Sequence, residues 1–311
     1  MNSMPVEIQS LPVLRIHGLT HRLAGRGNAD CFTIHVEQCL EFYARDIVGL
    51  LGPSGCGKTT LLSILGLLRS PSDLKSLKSF DLFVPDVRAG DSVKGIDIRD
   101  AWVKRDYRLI EGIRREHFGF ALQSGELVSS LNVEENISIP LRLNNWDSHS
   151  INARVKELIE QFRLNRIGAG AGDAPASYNV QSDTSTRFSL RRNDNSIARS
   201  RVNHLSGGEY QRVALARSIA HRPTVVFVDE PTSALNRELA HGALSELREL
   251  QRSRERAGIT VMITHDEELA KEFCNVLVRM APRRGEAAGE VVDFTRLTGS
   301  NASPSNLCVA T

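Results

Sequence analysis

The fold of this chain is decided by one stretch, Ile47-Val48-Gly49-Leu50-Leu51-Gly52-Pro53-Ser54-Gly55-Cys56-Gly57-Lys58-Thr59-Thr60. Its apolar beginning, residues 47–51, is typical of a strand that is buried on both faces of a parallel sheet. Residues 52–59 fit the pattern G-x-x-x-x-G-K-[ST], and a helix is predicted over residues 60–68. The stretch therefore predicts a strand, a phosphate-binding loop and a helix within an α/β fold.

Each residue type in this loop has a use in binding a nucleotide. The glycines allow backbone N–H groups to turn towards a phosphate, and the helix N-terminus adds positive potential. Lys58 supplies a point charge to the phosphate oxygens, and Thr59 supplies a hydroxyl to Mg²⁺. A structural turn without a ligand is the alternative, which the flanking strand and helix make less favoured. We expect cofactor contacts from the whole loop: Gly52, Pro53, Ser54, Gly55, Cys56, Gly57, Lys58, Thr59 and Thr60.

Two further apolar runs, 224–228 and 259–263, end in polar pairs, Asp229-Glu230 and Thr264-His265. Ligands of open parallel sheets lie beyond the carboxyl ends of the strands, so these pairs are expected to converge on the loop. Asp229 is placed to hold Mg²⁺, and Glu230 to polarise the attacking water as a general base. His265 is expected at the γ-phosphate, although a structural histidine is the alternative. The predicted catalytic residues are Glu230, His265 and Lys58.

Other strands and helices are suggested by shorter patterns. Residues 276–278 form a fourth candidate strand, and the strand-like run 118–122 precedes Gln123, a polar group placed to reach Mg²⁺ or water. A helix is predicted by an apolar stripe at helical spacing, which consists of Ile151, Val155, Leu158, Ile159 and Phe162. Residues 70–100 and 165–203 look like polar insertions, and we expect 165–203 to be a mobile loop because it contains few large apolar side chains.

Composition excludes several classes of protein. The 311 residues include 24% charged side chains, which is typical of a globular chain, and the net charge of +2 does not favour a nucleic acid or an anionic membrane as a partner. No run of about 18 apolar residues is present, and the N-terminus does not resemble a signal peptide. The five cysteines fit no metal site, and their scatter is compatible with a reducing cytosol.

A second loop begins another helix. Ser206-Gly207-Gly208-Glu209 has the spacing of a capping box, in which Ser206 and Glu209 satisfy each other's backbone N–H groups. A helix cap with no further role is one interpretation. The two glycines also expose N–H groups to an anion, which is the other. If that anion belonged to the same nucleotide, this loop would have to come from another subunit.

The chain resembles the ATPase subunits of ABC transporters. The resemblance covers about residues 12–295 and rests on Leu205-Ser206-Gly207-Gly208-Glu209, on the following run 211–220, and on Asp229-Glu230-Pro231-Thr232-Ser233-Ala234-Leu235. Within the family, residues 120–141 look most like the lipoprotein-releasing and macrolide-efflux branch. The implied fold is a P-loop NTPase: an ABC ATPase cassette with a RecA-like parallel-sheet core, a helical subdomain and an antiparallel N-terminal β region.

The resemblance also implies an organisation and a set of partners. The chain would be a single domain, 1–311, with a core at about 12–125 and 222–295, a helical subdomain at about 126–221 and a tail at 296–311. Gln123 would contact nucleotide and Mg²⁺, while Ser206, Gly207, Gly208 and Glu209 would act on the ATP of a second ATPase subunit. A transmembrane permease would dock around 124–132, which places the protein on the cytoplasmic face of the membrane. ATP and Mg²⁺ are the implied cofactors.

Two positions depart from the family pattern. Residues 20–23 read Thr-His-Arg-Leu, so Leu23 stands where an adenine-stacking aromatic residue is usual, and Arg22 could stack through its guanidinium plane instead. Asn236 replaces an aspartate in the loop after Asp229-Glu230. Two other functions stay open: an ABC-type ATPase that acts on DNA, and a nucleotide-dependent regulator that does not hydrolyse ATP. The sequence favours neither, and no nucleic-acid partner is expected.

Overall fold

The structure is a computed structural model that describes residues 11–23, 31–85, 93–122, 127–164, 197–231, 241–242, 244–245, 248–249 and 258–297. The strands described there form one mixed sheet, in the order β5-β4-β1-β2-β10-β9-β3-β8-β7-β6. Their bounds are β1 Leu14–Leu23, β2 Phe32–Phe42, β3 Ile47–Leu51, β4 Ser79–Pro85, β5 Val93–Asp97, β6 Phe118–Ala121, β7 Val225–Asp229, β8 Ile259–Ile263, β9 Val276–Pro282 and β10 Ala288–Arg296.

One half of the sheet is parallel and carries the predicted loop. β3 pairs in parallel with β8 and β9, and β7 pairs in parallel with β8 and β6. Every residue of β3, β7 and β8 is buried, as expected of strands covered on both faces. The predicted strands are confirmed, with bounds that shift by a residue in β7 and extend to Pro282 in β9. The carboxyl ends of β3, β7 and β8 therefore meet at one edge.

The other half is antiparallel and includes a segment that the sequence did not identify. β1 pairs antiparallel with β2 and β4, and β4 pairs antiparallel with β5. The expectation that 70–100 is a polar insertion was wrong for β4 and β5, which belong to the sheet. Alternate residues of β4 are buried, namely Phe80, Leu82 and Val84, so this strand faces the core on one side only.

β10 joins the two halves. It runs parallel to β2 and antiparallel to β9, so it lies between an early strand and a late one. At its end, the Arg296 guanidinium donates to both carboxylate oxygens of Asp46 at 3.0 and 2.8 Å. The Asp46 side chain is almost fully buried, and the same guanidinium lies over the ring of Tyr43, 4.7 Å from its centroid. The last strand is thus tied to the turn that precedes β3.

Helices cover the sheet, and some of them form an apolar cluster with the parallel strands. They are α1 Lys58–Leu65, α2 Ile98–Val103, α3 Tyr107–His117, α4 Val133–Leu143, α5 Ser148–Gln161, α6 Gly207–Ile219 and α7 Glu267–Phe273, with short 3-10 helices at Ile197–Arg199 and Val202–His204. The predicted apolar stripe is confirmed, because all five of its residues are buried. The stripe packs with α4, α6 and the parallel strands in one cluster.

Several expectations about the helical region lie outside the described residues. Residues 165–196 are among these, so the mobile-loop prediction for 165–203 stays a prediction there. Residues 197–204 contain the two 3-10 helices, whose Ile197, Ala198 and Val202 are buried. The boundaries of core, helical subdomain and tail also stay predictions. Of the helices described, none has the length and apolar character needed to cross a membrane.

Candidate nucleotide site

Two glycines of the phosphate loop have no room for a side chain. Gly52 follows β3 with φ of 144°, and Gly57 precedes α1 with φ of 98°. A Cβ at Gly52 would overlap the backbone carbonyl oxygen of Met280 on β9. A Cβ at Gly57 would lie 2.8 Å from the Ile34 side chain. The loop is therefore packed tightly against neighbouring strands, and its path is fixed by them.

The positive charge of the loop is held inside it. The Lys58 ammonium donates to the carbonyl oxygens of Gly52 at 2.7 Å and Pro53 at 2.9 Å, and the residue is buried. Helix α1 begins at Lys58, and no side chain caps its N-terminus. The first N–H groups of a helix have no intrahelical partner, so this end can accept an anion. Its backbone and Lys58 together fit a phosphate group.

Two side chains with oxygen atoms, Thr59 and Asp229, lie next to Lys58. Asp229, the last residue of β7, is 7% exposed, and its carboxylate is hydrogen-bonded by the Thr59 hydroxyl. Burial, and then the charge of Glu230, raises the pKa of Asp229, while Thr59 and Lys58 oppose that rise. Carboxylate and hydroxyl oxygens suit Mg²⁺, which usually takes one or two protein ligands and completes its shell with phosphate oxygens and water. The pair Thr59 and Asp229 fits this ion.

The raised pKa of Asp229 predicts a cost in stability. Because burial disfavours the charged form, the ionised carboxylate of Asp229 lowers the free energy of unfolding at pH values above its raised pKa. Below pH 3.8, the ordinary pKa, the carboxyl is protonated in both the folded and the unfolded protein, and this cost is absent. We expect Asp229→Asn to raise the Tm of the ligand-free protein at neutral pH by about 2–4 °C. The gain should shrink as the pH falls through the raised pKa towards 3.8.

Thermal unfolding across pH measures this difference, and Asp73→Asn is the matched control. Hydrogen bonds from the backbone N–H groups of Lys75 and Ser76 lower the pKa of Asp73. Its ionised carboxylate therefore stabilises the fold at neutral pH, and the control variant should gain no stability. A Tm of Asp229→Asn that stays at or below the wild-type Tm at neutral pH would contradict the prediction. MgATP should stabilise the wild type more than Asp229→Asn, because the variant lacks the charged ligand.

The predicted base and histidine lie side by side. Nδ1 of His265 is 3.7 Å from Oε1 of Glu230, with side chains 67% and 27% exposed. Glu230 has a backbone φ of 48°, which residues other than glycine rarely adopt. Its N–H donates to the carbonyl oxygen of Ile263 at the end of β8, at 3.1 Å. The two strand ends thus bring together two groups that can exchange or orient a proton.

The capping box predicted at the second loop is confirmed. The Glu209 carboxylate accepts from the Ser206 N–H, and the Glu209 N–H donates to the Ser206 hydroxyl. The backbone N–H group of each of these two residues is therefore satisfied by the side chain of the other. The structure brings Lys58, Thr59, Asp229, Glu230 and His265 to one edge of the sheet, and it places Ser206–Glu209 at the start of α6.

Two contacts of α6 were missed by the sequence analysis. The Gln211 side-chain amide donates to the backbone carbonyl of Glu230 at 3.2 Å, and the Tyr210 hydroxyl accepts from the N–H of Leu127 at 2.8 Å. Gly289 on β10 was also missed: a Cβ there would overlap the carbonyl oxygen of Cys56 in the phosphate loop. These contacts involve backbone groups from distant segments, so no local pattern indicates them.

Several predicted residues are outside the described part of the chain or show no nucleotide role in it. Gln123 and Asn236 are not described, so their roles stay predictions. In the region expected to contact adenine, His21 is buried, and Arg22 is exposed with its N–H on the Ser72 hydroxyl at 2.7 Å. Leu23 is half-buried. The possibility that Arg22 stacks on a base stays a prediction.

Cys56 lies just before the N-terminus of α1, a location where reactive thiols are common. The residue is only 1% exposed, and its sulfur packs against Gly52, whereas Cys31 and Cys39 are half-buried. We expect an alkylating reagent to modify Cys31 and Cys39 before Cys56 and to leave ATP binding intact, as mass spectrometry and binding assays would show. Loss of ATP binding that disappears in Cys56→Ser would contradict this expectation.

Comparisons with known proteins agree on the family. A family model described as "ABC transporter" matches residues 38–233. The methionine import ATP-binding protein MetN of Helicobacter acinonychis is 31% identical over 236 residues, which is 76% of this chain and 56% of MetN. An uncharacterized ABC transporter ATP-binding protein of Methanocaldococcus jannaschii is 31% identical over 275 residues, 88% of this chain and 95% of the relative.

Solved structures confirm the fold. The dimeric structure of MJ0796, a bacterial ABC transporter cassette, aligns with a TM-score of 0.66 at 22% identity and covers 92% of this chain and 100% of that one. A dimeric post-hydrolysis state of the same cassette with ADP and Pi aligns with a TM-score of 0.63 at 23% identity. This chain spans little more than half the length of the MetN relative. The chain belongs to the ABC transporter ATP-binding family, and it has the predicted ABC cassette fold.

Proposed function

We propose that this member of the ABC transporter family is the ATP-binding and ATP-hydrolysing subunit of a transporter or permease-like complex. The observation that carries the proposal is the hydrogen bond between Thr59 and Asp229 beside the buried Lys58. It supports a site for a hard cation next to the phosphate loop, with Glu230 and His265 at the adjoining strand end. The family membership and the fold support the same function.

The proposed chemistry assigns one task to each side chain. Thr59 and Asp229 would hold Mg²⁺, and the bound ion would supply positive charge against the charge that develops on the phosphate oxygens. Lys58 binds phosphate oxygens, and Gln123 would reach the ion or the water. Glu230 takes the proton from the attacking water, and His265, 3.7 Å away, contacts the γ-phosphate. Residues Gly52–Thr60 surround the nucleotide.

A second copy or a second ATPase subunit would complete the site. In this proposal Ser206, Gly207, Gly208 and Glu209 contact the ATP held by the other subunit. The capping box fixes the direction of Ser206, and two glycines leave the first N–H groups of α6 accessible to an anion. The dimeric relative with ADP and Pi has the same fold, which supports this arrangement.

A transmembrane permease is the proposed partner, which would place the chain on the cytoplasmic face of a membrane. The proposed docking segment is 124–132, of which 127–132 is described. The Asn136 side chain, fully buried, accepts from the N–H of Val128 at 2.7 Å and donates to carbonyls of the same segment. The Tyr210 hydroxyl accepts a hydrogen bond from the N–H of Leu127. Side chains of α4 and α6 therefore fix the position of the described part of the segment.

The cargo is the finer part of the proposal. Residues 120–141 favour the lipoprotein-releasing and macrolide-efflux branch, whereas several relatives are named as methionine import proteins and another as a sulfate/thiosulfate import protein. Co-purification of the chain with the permease encoded beside it separates these. A four-helix permease with a large extracytoplasmic domain supports the first branch, and an import permease overturns it.

Phosphate release by the purified chain tests the proposed function. Hydrolysis should require both ATP and Mg²⁺, and Lys58→Ala should abolish it by removing the phosphate-binding charge. Lys156→Ala, on the exposed face of α5, is the matched control and should keep the wild-type rate. ATP binding without any hydrolysis would favour the regulator that does not hydrolyse ATP, and stimulation by DNA would favour the DNA-acting ATPase.

A further inference from the structure

The strained backbone of Glu230 is held from two sides. Its φ of 48° is unfavourable for residues other than glycine, and such a conformation persists only where neighbouring groups hold it. The Ile263 carbonyl accepts the Glu230 N–H at 3.1 Å, and the Gln211 amide donates to the Glu230 carbonyl at 3.2 Å. One support comes from the sheet and the other from α6.

We propose that Gln211 is a positioning residue for Glu230. The carboxylate leaves a backbone whose orientation depends on both hydrogen bonds, so loss of either lets the peptide rotate towards a common φ. Rotation would turn the carboxylate away from His265, which is now 3.7 Å from it. The Gln211 side chain contacts the main chain of Glu230, and that main chain orients the carboxylate.

Gln211 is suited to this task by its location and its chemistry. It lies two residues after Glu209, in the first turns of α6, which the capping box anchors at Ser206. A carbonyl oxygen requires a donor, and the glutamine amide is a neutral donor that adds no charge beside two carboxylates. Any shift of the start of α6 is thereby passed to Glu230 of the same chain.

The inference rests on the proposed function, and a matched pair of variants tests it. Gln211→Met keeps the length of the side chain and removes the donor. Gln161→Met is the control, because Gln161 is also half-buried in a helix and both glutamines have a buried side-chain oxygen without a hydrogen-bond partner among the described residues. We expect Gln211→Met to lower kcat about tenfold, the factor that one hydrogen bond contributes, with the Kd for ATP unchanged within about twofold.

A second background distinguishes positioning from general damage to the fold. In Glu230→Gln the base is absent, so adding Gln211→Met should lower the residual rate by less than about twofold. Equal losses in both backgrounds, or a rise in the Kd for ATP that parallels the loss in kcat, would overturn the positioning role. So would a kcat of Gln211→Met equal to that of Gln161→Met.

The outcomes separate the two proposals. If the wild-type chain hydrolyses MgATP and Gln211→Met hydrolyses it equally well, only the positioning role fails. If the wild-type chain binds ATP and hydrolyses none, the proposed function fails, and the role of Gln211 fails with it. Circular dichroism and Tm of each variant show that the comparison concerns folded protein.

Discussion

Glu230→Gln is expected to bind ATP with nearly the wild-type Kd and to hydrolyse it about 10²–10⁴-fold more slowly. The substitution keeps the size of the side chain and removes the carboxylate that accepts a proton from water. Binding should survive because the phosphate loop and Lys58 are unchanged, and the backbone contacts of Glu230 with Ile263 and Gln211 use no side-chain atom of Glu230. Single-turnover phosphate release and equilibrium nucleotide binding measure the two effects separately.

The same variant tests the proposed dimer. With hydrolysis blocked, MgATP should hold two subunits together, and size-exclusion chromatography should show the larger species only when nucleotide is present. Glu160→Gln, an exposed position on α5, is the control and should behave as the wild type. Normal turnover in Glu230→Gln would move the role of base to another residue, and a monomer at high concentration with MgATP would count against the closed pair.

Gly52→Ala is expected to abolish tight ATP binding. The new Cβ would overlap the backbone carbonyl of Met280, and φ of 144° is unfavourable for alanine. Neither obstacle is a flexible side chain, so the loop has to move. A displacement of about 1 Å at such a site can cost about 10²-fold in function, and the backbone strain alone costs about 1–3 kcal/mol of stability.

Gly55→Ala separates collision from conformational strain. Gly55 lies in the same loop with φ of 80°, but a Cβ there would meet open space. The control should therefore lose about 1–2 kcal/mol of stability from its left-handed backbone and keep most of its ATP binding. Nucleotide titration and denaturant unfolding of the two variants give both quantities. Equal effects on binding would mean that the contact with β9 does not hold the loop.

The sequence predicted the parallel half of the sheet because its strands are buried on both faces. Continuous apolar runs such as Ile47–Leu51 and Ile259–Ile263 can be seen without knowledge of the fold. β4 was missed because it buries one face only, and its alternation is set among the polar residues of 70–100. A one-sided strand has half the apolar signal of a two-sided one, and its polar face looks like a loop.

The candidate site likewise contains residues that the sequence could predict and contacts that it could not. Side chains at or just beyond the end of a strand, such as Asp229 and His265, could be predicted because the direction of a parallel sheet determines which edge they share. The contact of Gln211 with Glu230 could not, since it joins a side chain to a backbone carbonyl 19 residues away. Likewise, the need for glycine at position 52 depends on Met280, which lies more than two hundred residues later.

The place of β10 between β2 and β9 has a consequence for the nascent chain. Until Ala288–Arg296 has emerged from the ribosome, β2 and β9 are both open edges, and each exposes unpaired backbone groups that can pair with another chain. The Arg296 contact with Asp46 closes the sheet at almost the last described residue. A nascent chain that lacks Ala288–Arg296 therefore has two incomplete sheets, and the candidate nucleotide site, whose loop packs on Gly289, is assembled only after β10 has been made.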